Sequence, residues 1–162
     1  MAEDFVRTFR FRITLVRSPG TGDRADRNQD ELGNGGFQEC GGLELEQDVQ
    51  EYLEGGRNNG IVRRLGRVKY PHIVLKRGMF FAGTGLNRQL WIWLQDMVRG
   101  IRPVVRYNGS IDVHHVGESA VARWQFVRGL PLRIKGPELN AKTGDIAIEE
   151  LHIAHEGLTL TA

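Results

Sequence analysis

Phe37 to Gly78 reads FQECGGLELEQDVQEYLEGGRNNGIVRRLGRVKYPHIVLKRG, and the fold turns on this stretch. Strand-like runs open and close it, and a glycine-rich loop lies between them. The charge switches sign along it. From Glu44 to Glu54 every charged residue is acidic: Glu44, Glu46, Asp48, Glu51 and Glu54. From Arg57 to Arg77 every one is basic: Arg57, Arg63, Arg64, Arg67, Lys69, Lys76 and Arg77. A chain that carries both signs in adjacent blocks is able to bind a copy of itself head to tail, which points to self-assembly rather than catalysis.

Working outward, most of the chain alternates at period two. Phe9, Phe11, Ile13 and Leu15 alternate with Arg10, Arg12 and Thr14, the pattern of a half-buried strand. Ser18 to Gly36 is nearly free of apolar residues and is predicted to be a long exposed loop. Phe37 to Glu46 is a predicted strand, bulged at Gly41-Gly42. Glu51 to Arg67 is predicted as loop, and Val68 to Arg77 as strand, with Pro71 placing that end at an edge or a bulge. Leu86, Leu90, Trp93, Leu94 and Met97 form one apolar stripe at helical period, so a helix is predicted over 86–99. Thr84 or Asn87 is placed to cap its start, and Gly100 stands where a glycine ends a helix.

Pro103 to His115 is extended again. Asn108-Gly109 is a hairpin signal, yet the parity of Val105, Tyr107, Ile111 and Val113 runs through it, so one continuous strand competes with a hairpin. Gly117-Glu118-Ser119 is the better turn. Ala120 to Val127 and Leu130 to Lys135 are two further strands. After a loop over Gly136 to Gly144, Ile146 to Leu160 closes the chain as a strand whose parity slips near Glu149-Glu150, as at a bulge. The expected fold is mainly β, a β-sandwich or small barrel with one α-helix packed on its flank. The whole chain, 1–162, is expected to be a single domain with an inserted exposed loop over 18–36.

Composition narrows the function. Glycine makes up 21 of 162 residues, well above the usual ~7%, and falls mostly at turns between strand-like runs. A net charge of +2 is too small for nucleic-acid binding over the whole surface. Cys40 is the sole cysteine and forms no internal disulfide. No apolar stretch approaches the ~18 residues that span a membrane, and MAEDFVRTFRFRITL lacks a signal-peptide core. Synthesis in the cytoplasm, without membrane insertion by this chain, is the expectation.

Catalytic and metal chemistry finds little purchase. His114 and His115 are adjacent, and His152 and His155 are three apart, so in strands each pair divides between opposite faces and makes no metal site without a third ligand. Cys40 has the acidic neighbours Glu39 and Glu44, which raise a thiol pKa. Gly83-Thr84-Gly85 lacks the Gly-Lys-Ser/Thr ending of a phosphate loop and is better taken as a helix-entry turn. The carboxylate pairs Glu44/Glu46 and Glu149/Glu150 read as solvated strand faces, and Trp91 and Trp93 as divided between core and contact surface. The run from Arg57 to Arg77 is read either as a solvated or DNA-facing surface or as a partner for acidic surface on a neighbouring subunit. No catalytic residue, cofactor or metal is expected.

Gly36-Phe37-Gln38-Glu39-Cys40-Gly41-Gly42-Leu43 resembles the opening G-F-x-E-x-x-G-L of the contractile phage tail tube family. Glu51-Tyr52 with Glu54-Gly55-Gly56-Arg57-Asn58 resembles its E-Y-x-E-G-G-x-N loop, and Tyr70 to Gly78 its Y-P-x-I-x-L-K-R-G strand. Trp93, Trp124-Gln125-Phe126, Pro131, Lys135-Gly136-Pro137, Glu149 to Leu151 and His155-Glu156-Gly157-Leu158 follow in the family's order. The family takes in myophage tail tubes and the inner tubes of phage-tail-like contractile injection systems.

The resemblance implies the β-sandwich or barrel of tail tubes, of the Hcp-like kind, closing into hexameric rings that stack into a hollow tube inside a sheath. It implies baseplate and terminator proteins at the ends, DNA, a tape-measure protein or a protein payload in the lumen, and no catalysis. The product is then part of a virion tail or of a contractile injection particle. The loop after the second strand reaches the adjacent ring, which assigns inter-ring contacts to Glu51, Tyr52, Glu54, Gly55, Gly56, Arg57, Asn59, Arg63, Arg64 and Arg67. Ser18 to Gly36 departs from the family pattern as an insertion, at a ring–ring contact, on the outer wall, at the lumen mouth, or as the mark of a specialised ring. Competing readings are an Hcp-like secretion tube, a tube-initiator ring at the baseplate, a flavin-binding split-barrel enzyme and a nucleic-acid-binding barrel.

Overall fold

A computed structural model describes residues 5–7, 10–19, 31–32, 36–56, 59–83, 85–117 and 119–161. Its strands are β1 Phe11–Arg17, β2 Glu31–Leu32, β3 Phe37–Gly41, β4 Glu46–Tyr52, β5 Val62–Lys69, β6 Ile73–Gly78, β7 Phe81–Ala82, β8 Gly85–Leu86, β9 Tyr107–His114, β10 Ala120–Lys135, β11 Ile148–Ala154 and β12 Gly157–Leu160. The helix α1 spans Gln89–Val98. An eight-stranded antiparallel sheet runs β2-β1-β9-β10-β11-β6-β3, with β12 also on β10. The pair β4-β5 and the short pair β7-β8 stand outside it.

The long strand β10 joins two arms of this sheet. Its first part pairs with β9 and β12, and Leu130 to Lys135 pair with β11. Between them the register shifts from Phe126 to Gly129, and Arg128 takes φ 53°. That left-handed backbone is held by Asn108 Oδ1, which accepts from Arg128 N at 2.9 Å and from Ser18 Oγ at 2.6 Å. One core draws on both arms: Ile13, Leu15, Ile111 and Phe126 from the first, Ile73, Leu75, Leu151 and Ile153 from the second. The helix adds Leu90 and Trp93, whose indole donates to Val105 O at 2.9 Å and meets the Tyr107 ring edge-on. Gly100, at φ 78°, ends the helix as expected. Leu86 belongs to β8, so the helix begins later than the stripe implied; Thr84 lies outside the described residues, and Asn87 Oδ1 accepts from Gln89 N at 3.4 Å.

Several local expectations are corrected. Asn108-Gly109 makes no turn, because Gly109 sits within β9 directly opposite Phe126. A Cβ there would come within 2.0 Å of the fully buried Phe126 ring. Gly109→Ala is therefore expected to cost about 1–3 kcal/mol through overpacking, read as a lowered thermal midpoint; an unchanged midpoint would contradict the packing described. Ala120 to Lys135 is one strand rather than two, and Ile146 to Leu160 is two rather than one. Within the predicted loop over 18–36, Ser18 is buried and Glu31–Leu32 pairs with Leu15 and Val16, because Leu32 packs on the core; residues 20–30 and 33–35 lie outside the described residues.

The parity slip at Glu149-Glu150 is not a bulge, since β11 and β6 keep register throughout. Instead an acid occupies the core face. Glu149 stands opposite Arg77, and both side chains are 1% exposed and ion-paired. Trp91 Nε1 donates to Glu149 Oε2 at 2.8 Å, and Arg77 Nη2 donates to Asn87 Oδ1 at 3.2 Å. The guanidinium also lies over the Phe37 and Phe80 rings. A buried carboxylate is tolerated because it is paired and hydrogen-bonded. Glu149 and Trp91 thus tie the helix to the second arm; neither is a surface group.

Candidate assembly interface

The stretch predicted as a loop over Glu51 to Arg67 is mostly a β-hairpin. Beyond β3, Gly42 adopts φ +83° with its α-carbon pressed on the His72 carbonyl, where a Cβ would lie 2.0 Å from the oxygen. Only glycine permits both the left-handed backbone and that approach. On the return side, Pro71 has no N–H to donate, so Tyr70-Pro71-His72 breaks what was predicted as one strand into β5 and β6. At these two breaks the chain leaves the main sheet as β4 and returns as β5, and the two strands pair only with each other.

The root of the hairpin is anchored in the body. Leu43 packs on the core, and the Tyr70 ring lies 5.3 Å from the buried His155, which in turn lies 5.7 Å from Phe126. His155 Nδ1 donates to Gly157 O at 3.1 Å. Burial lowers the His155 pKa, against the pull of the Pro71 and Gly157 backbone, so the folded chain holds this ring neutral. The unfolded chain protonates it near ~6.5, so its contribution is complete above that value and lost as pH falls toward the lower folded one. The thermal midpoint is expected to drop between neutral pH and mildly acidic pH, and His155→Phe is expected to flatten that part of the slope. An unchanged slope in the variant would count against this assignment.

Within the hairpin, Glu46 faces Lys69, Glu51 faces Arg63, and Tyr52 faces Val62, with a register shift between Gln47 and Val49. Lys69 Nζ meets Asp48 at 2.7 Å, Arg63 meets Glu51 at 3.8 Å, and the Arg64 guanidinium lies over the Tyr52 ring. The hydrogen bond and charge of Asp48 raise the Lys69 pKa. The sign switch in the sequence therefore first aligns an acidic strand with a basic one in the same chain.

The structure gathers the residues singled out from sequence onto this arm. Glu51 and Tyr52 end β4; Arg63, Arg64 and Arg67 lie on β5; Glu54, Gly55, Gly56 and Asn59 belong to the tip. All of these are exposed. Arg57 lies outside the described residues. Sequence reasoning passed over the apolar groups beside them. Val49 and Leu65 face each other across the strands at 55% and 72% exposure, with Val68 on the same face, and Leu53 and Ile61 are exposed at the tip. A two-stranded hairpin is marginally stable alone, and an uncovered apolar patch marks an interaction surface. Hydrophobic residues inside a charged segment read as loop were the available signal.

Elsewhere, chemistry is sparse. Burial pushes the Cys40 thiol up to about 12, which leaves it inert at neutral pH; the cause is desolvation, not its acidic neighbours. His152 pairs with Glu150. Among the described residues, no group of three His, Cys, Asp or Glu side chains is arranged to hold a metal ion, and no helix is long and apolar enough to cross a membrane.

A mainly β body with a projecting, uncovered hairpin defines a self-assembling structural module. The chain belongs to the T4-like virus tail tube protein gp19 family, whose model matches residues 7–159. In fold it is similar to a chain of an extracellular contractile injection system, the PVC sheath–tube complex in its extended state, with a TM-score of 0.75, 19% identity, and 99% of this chain and 93% of that one covered. It is equally similar to a chain in the cap that terminates the anti-feeding prophage tube, with a TM-score of 0.75, 18% identity and coverages of 99% and 93%. A type six secretion system protein aligns more loosely, with a TM-score of 0.50, 12% identity and coverages of 93% and 83%. No curated protein matches at the sequence level.

Proposed function

We propose that this protein is the inner-tube subunit of a contractile tail or injection particle, a structural element and not a catalyst. Protomers close edge to edge into a hexameric ring, and rings stack with the β4-β5 hairpin of one ring laid on the next. Ring closure removes the open edges that β3 and the β1-β2 side would otherwise expose to uncontrolled pairing. The single observation that carries the reading is the hairpin itself, anchored at its root yet uncovered on both faces, with apolar side chains that the chain's own body leaves bare. Obligate contacts of this sort commonly bury more than ~2,000 Å².

A sheath surrounds the tube in this reading, baseplate and terminator proteins contact its ends, and DNA, a tape-measure protein or a protein payload passes through it. The chain is made in the cytoplasm and reaches its working place as part of the particle. Negative-stain electron microscopy of the purified protein tests the proposal: rings or stacked tubes are expected. A protein that stays monomeric in solution at every concentration tried, with no rings on the grid, would overturn it.

A further inference from the structure

The two arms of the main sheet present two outer faces of different chemistry, and we infer that the face of the first arm, formed by β1, β9, the first part of β10 and β12, lines the lumen of the tube. The inference rests on the tube reading above and assigns the wall within it.

Cross-strand register sets that face out in rows. Thr14 faces Ser110, Ser110 faces Gln125, and Gln125 faces Thr159. In the next row Arg12 and Arg123 flank Asp112. The first row is entirely hydroxyl and amide. In the second, Asp112 accepts from Arg123 Nε at 2.6 Å, from Arg123 Nη2 at 3.1 Å and from Ser110 Oγ at 3.0 Å. Its carboxylate is therefore engaged within the wall, and the Arg123 hydrogen bond lowers its pKa further. The exposed apolar groups here are Val16 and Val127, in the row that Asn108 shares, at one margin of the face.

The outer face of the second arm differs. Glu39, Lys76, Glu150 and Lys135 form one row across β3, β6, β11 and β10, with alternating sign. Ile146 and Ile148 open into the same cleft as that row. Ile146 is 76% exposed, and Leu139 on the neighbouring loop is 90% exposed. Bare aliphatic groups beside a patterned charge row suit contact with a protein partner.

Repetition makes the difference decisive. Every ring multiplies each side chain of the wall, and stacked rings multiply it again, so a weak attraction for passing cargo becomes strong by avidity. A wall with isoleucines and leucines would grip extended polypeptide. Hydrated hydroxyls, amides and internally paired charge leave little for cargo to hold. The first-arm face meets that condition and the second-arm face does not; the second therefore faces outward, toward the sheath.

Thiol labelling of assembled tubes tests this. Single cysteines are introduced as Gln125→Cys on the first face and Glu39→Cys on the second, each in a Cys40→Ala background, and tubes are confirmed on grids before labelling. A small maleimide is expected to modify both. A maleimide carried on an antibody-sized protein is expected to modify E39C along the tube and to lose its reaction at Q125C except at tube ends. Reaction of Q125C with the large probe along the tube, or failure of the small one at Q125C, would overturn the assignment. Absence of tubes on the grids would instead count against the tube reading itself.

Discussion

Changing Val49 and Leu65 together to aspartate is expected to abolish rings stacked into tubes while leaving the protomer folded. The two side chains face each other on the hairpin and lie half or more exposed in the isolated chain. Removing them from water is worth about 1.5–3 kcal/mol each on full burial, and one stacking event buries a copy from every subunit of a ring. Two carboxylates at those positions replace this gain with the cost of burying charge. The core does not include either residue, so the far-ultraviolet circular dichroism and the thermal midpoint of the variant are expected to stay close to the parent. Tubes of ordinary length from the variant would contradict the role given to the hairpin. Reversing Arg63 alone is expected to do less, because its exposed pair with Glu51 is long, and such pairs contribute at most about 1 kcal/mol.

Glu149→Ala is expected to be the most destabilising single substitution considered. It strips the partner from a guanidinium that is 1% exposed, and it removes the acceptor of the Trp91 indole. Breaking a buried pair from one side costs about 3–5 kcal/mol, since the remaining charge stays buried. In a chain of this size each kcal/mol lowers the midpoint by about 2–4 °C, so a loss of roughly 10 °C is expected by thermal denaturation. Replacing both partners, as Arg77→Met with Glu149→Leu, is expected to recover much of it, because apolar side chains of similar volume carry no desolvation cost. A Glu149→Ala protein that melts near the parent, or a double variant worse than the single, would show that the pair does not act as described.

What was legible in the sequence followed from periodicity. The alternation of Ile13 and Leu15, the stripe of Leu90, Trp93 and Met97, and the glycine at 100 each correspond to the element they implied. The mainly β class with one helix holds, as does membership of the tail tube family. Misreadings arose where a local signal competed with a tertiary one. Asn108-Gly109 carries the chemistry of a tight turn, yet the glycine is there because Phe126 occupies the space a side chain would need. Glu149 breaks the apolar alternation of its strand, and only the partner strand discloses Arg77 opposite it.

The candidate site was legible as a segment but not as a shape. Charge drew the eye to Glu51 through Arg67, and the sequence held the fact that acids precede bases. That the two blocks pair across one hairpin depends on the turn at Gly42 and the break at Pro71, which are set by contact with His72 and the loss of an N–H. The apolar groups Val49 and Leu65 then emerge as the surface still without a partner in the protomer.

A cryo-electron microscopy reconstruction of tubes assembled from this chain tests the central claim most directly. The account predicts that the β4-β5 hairpin of each subunit lies against the adjacent ring, with Val49 and Leu65 buried there. A reconstruction in which the hairpin projects into solvent, or folds back within its own ring while neighbouring rings stack through other surfaces, would contradict it.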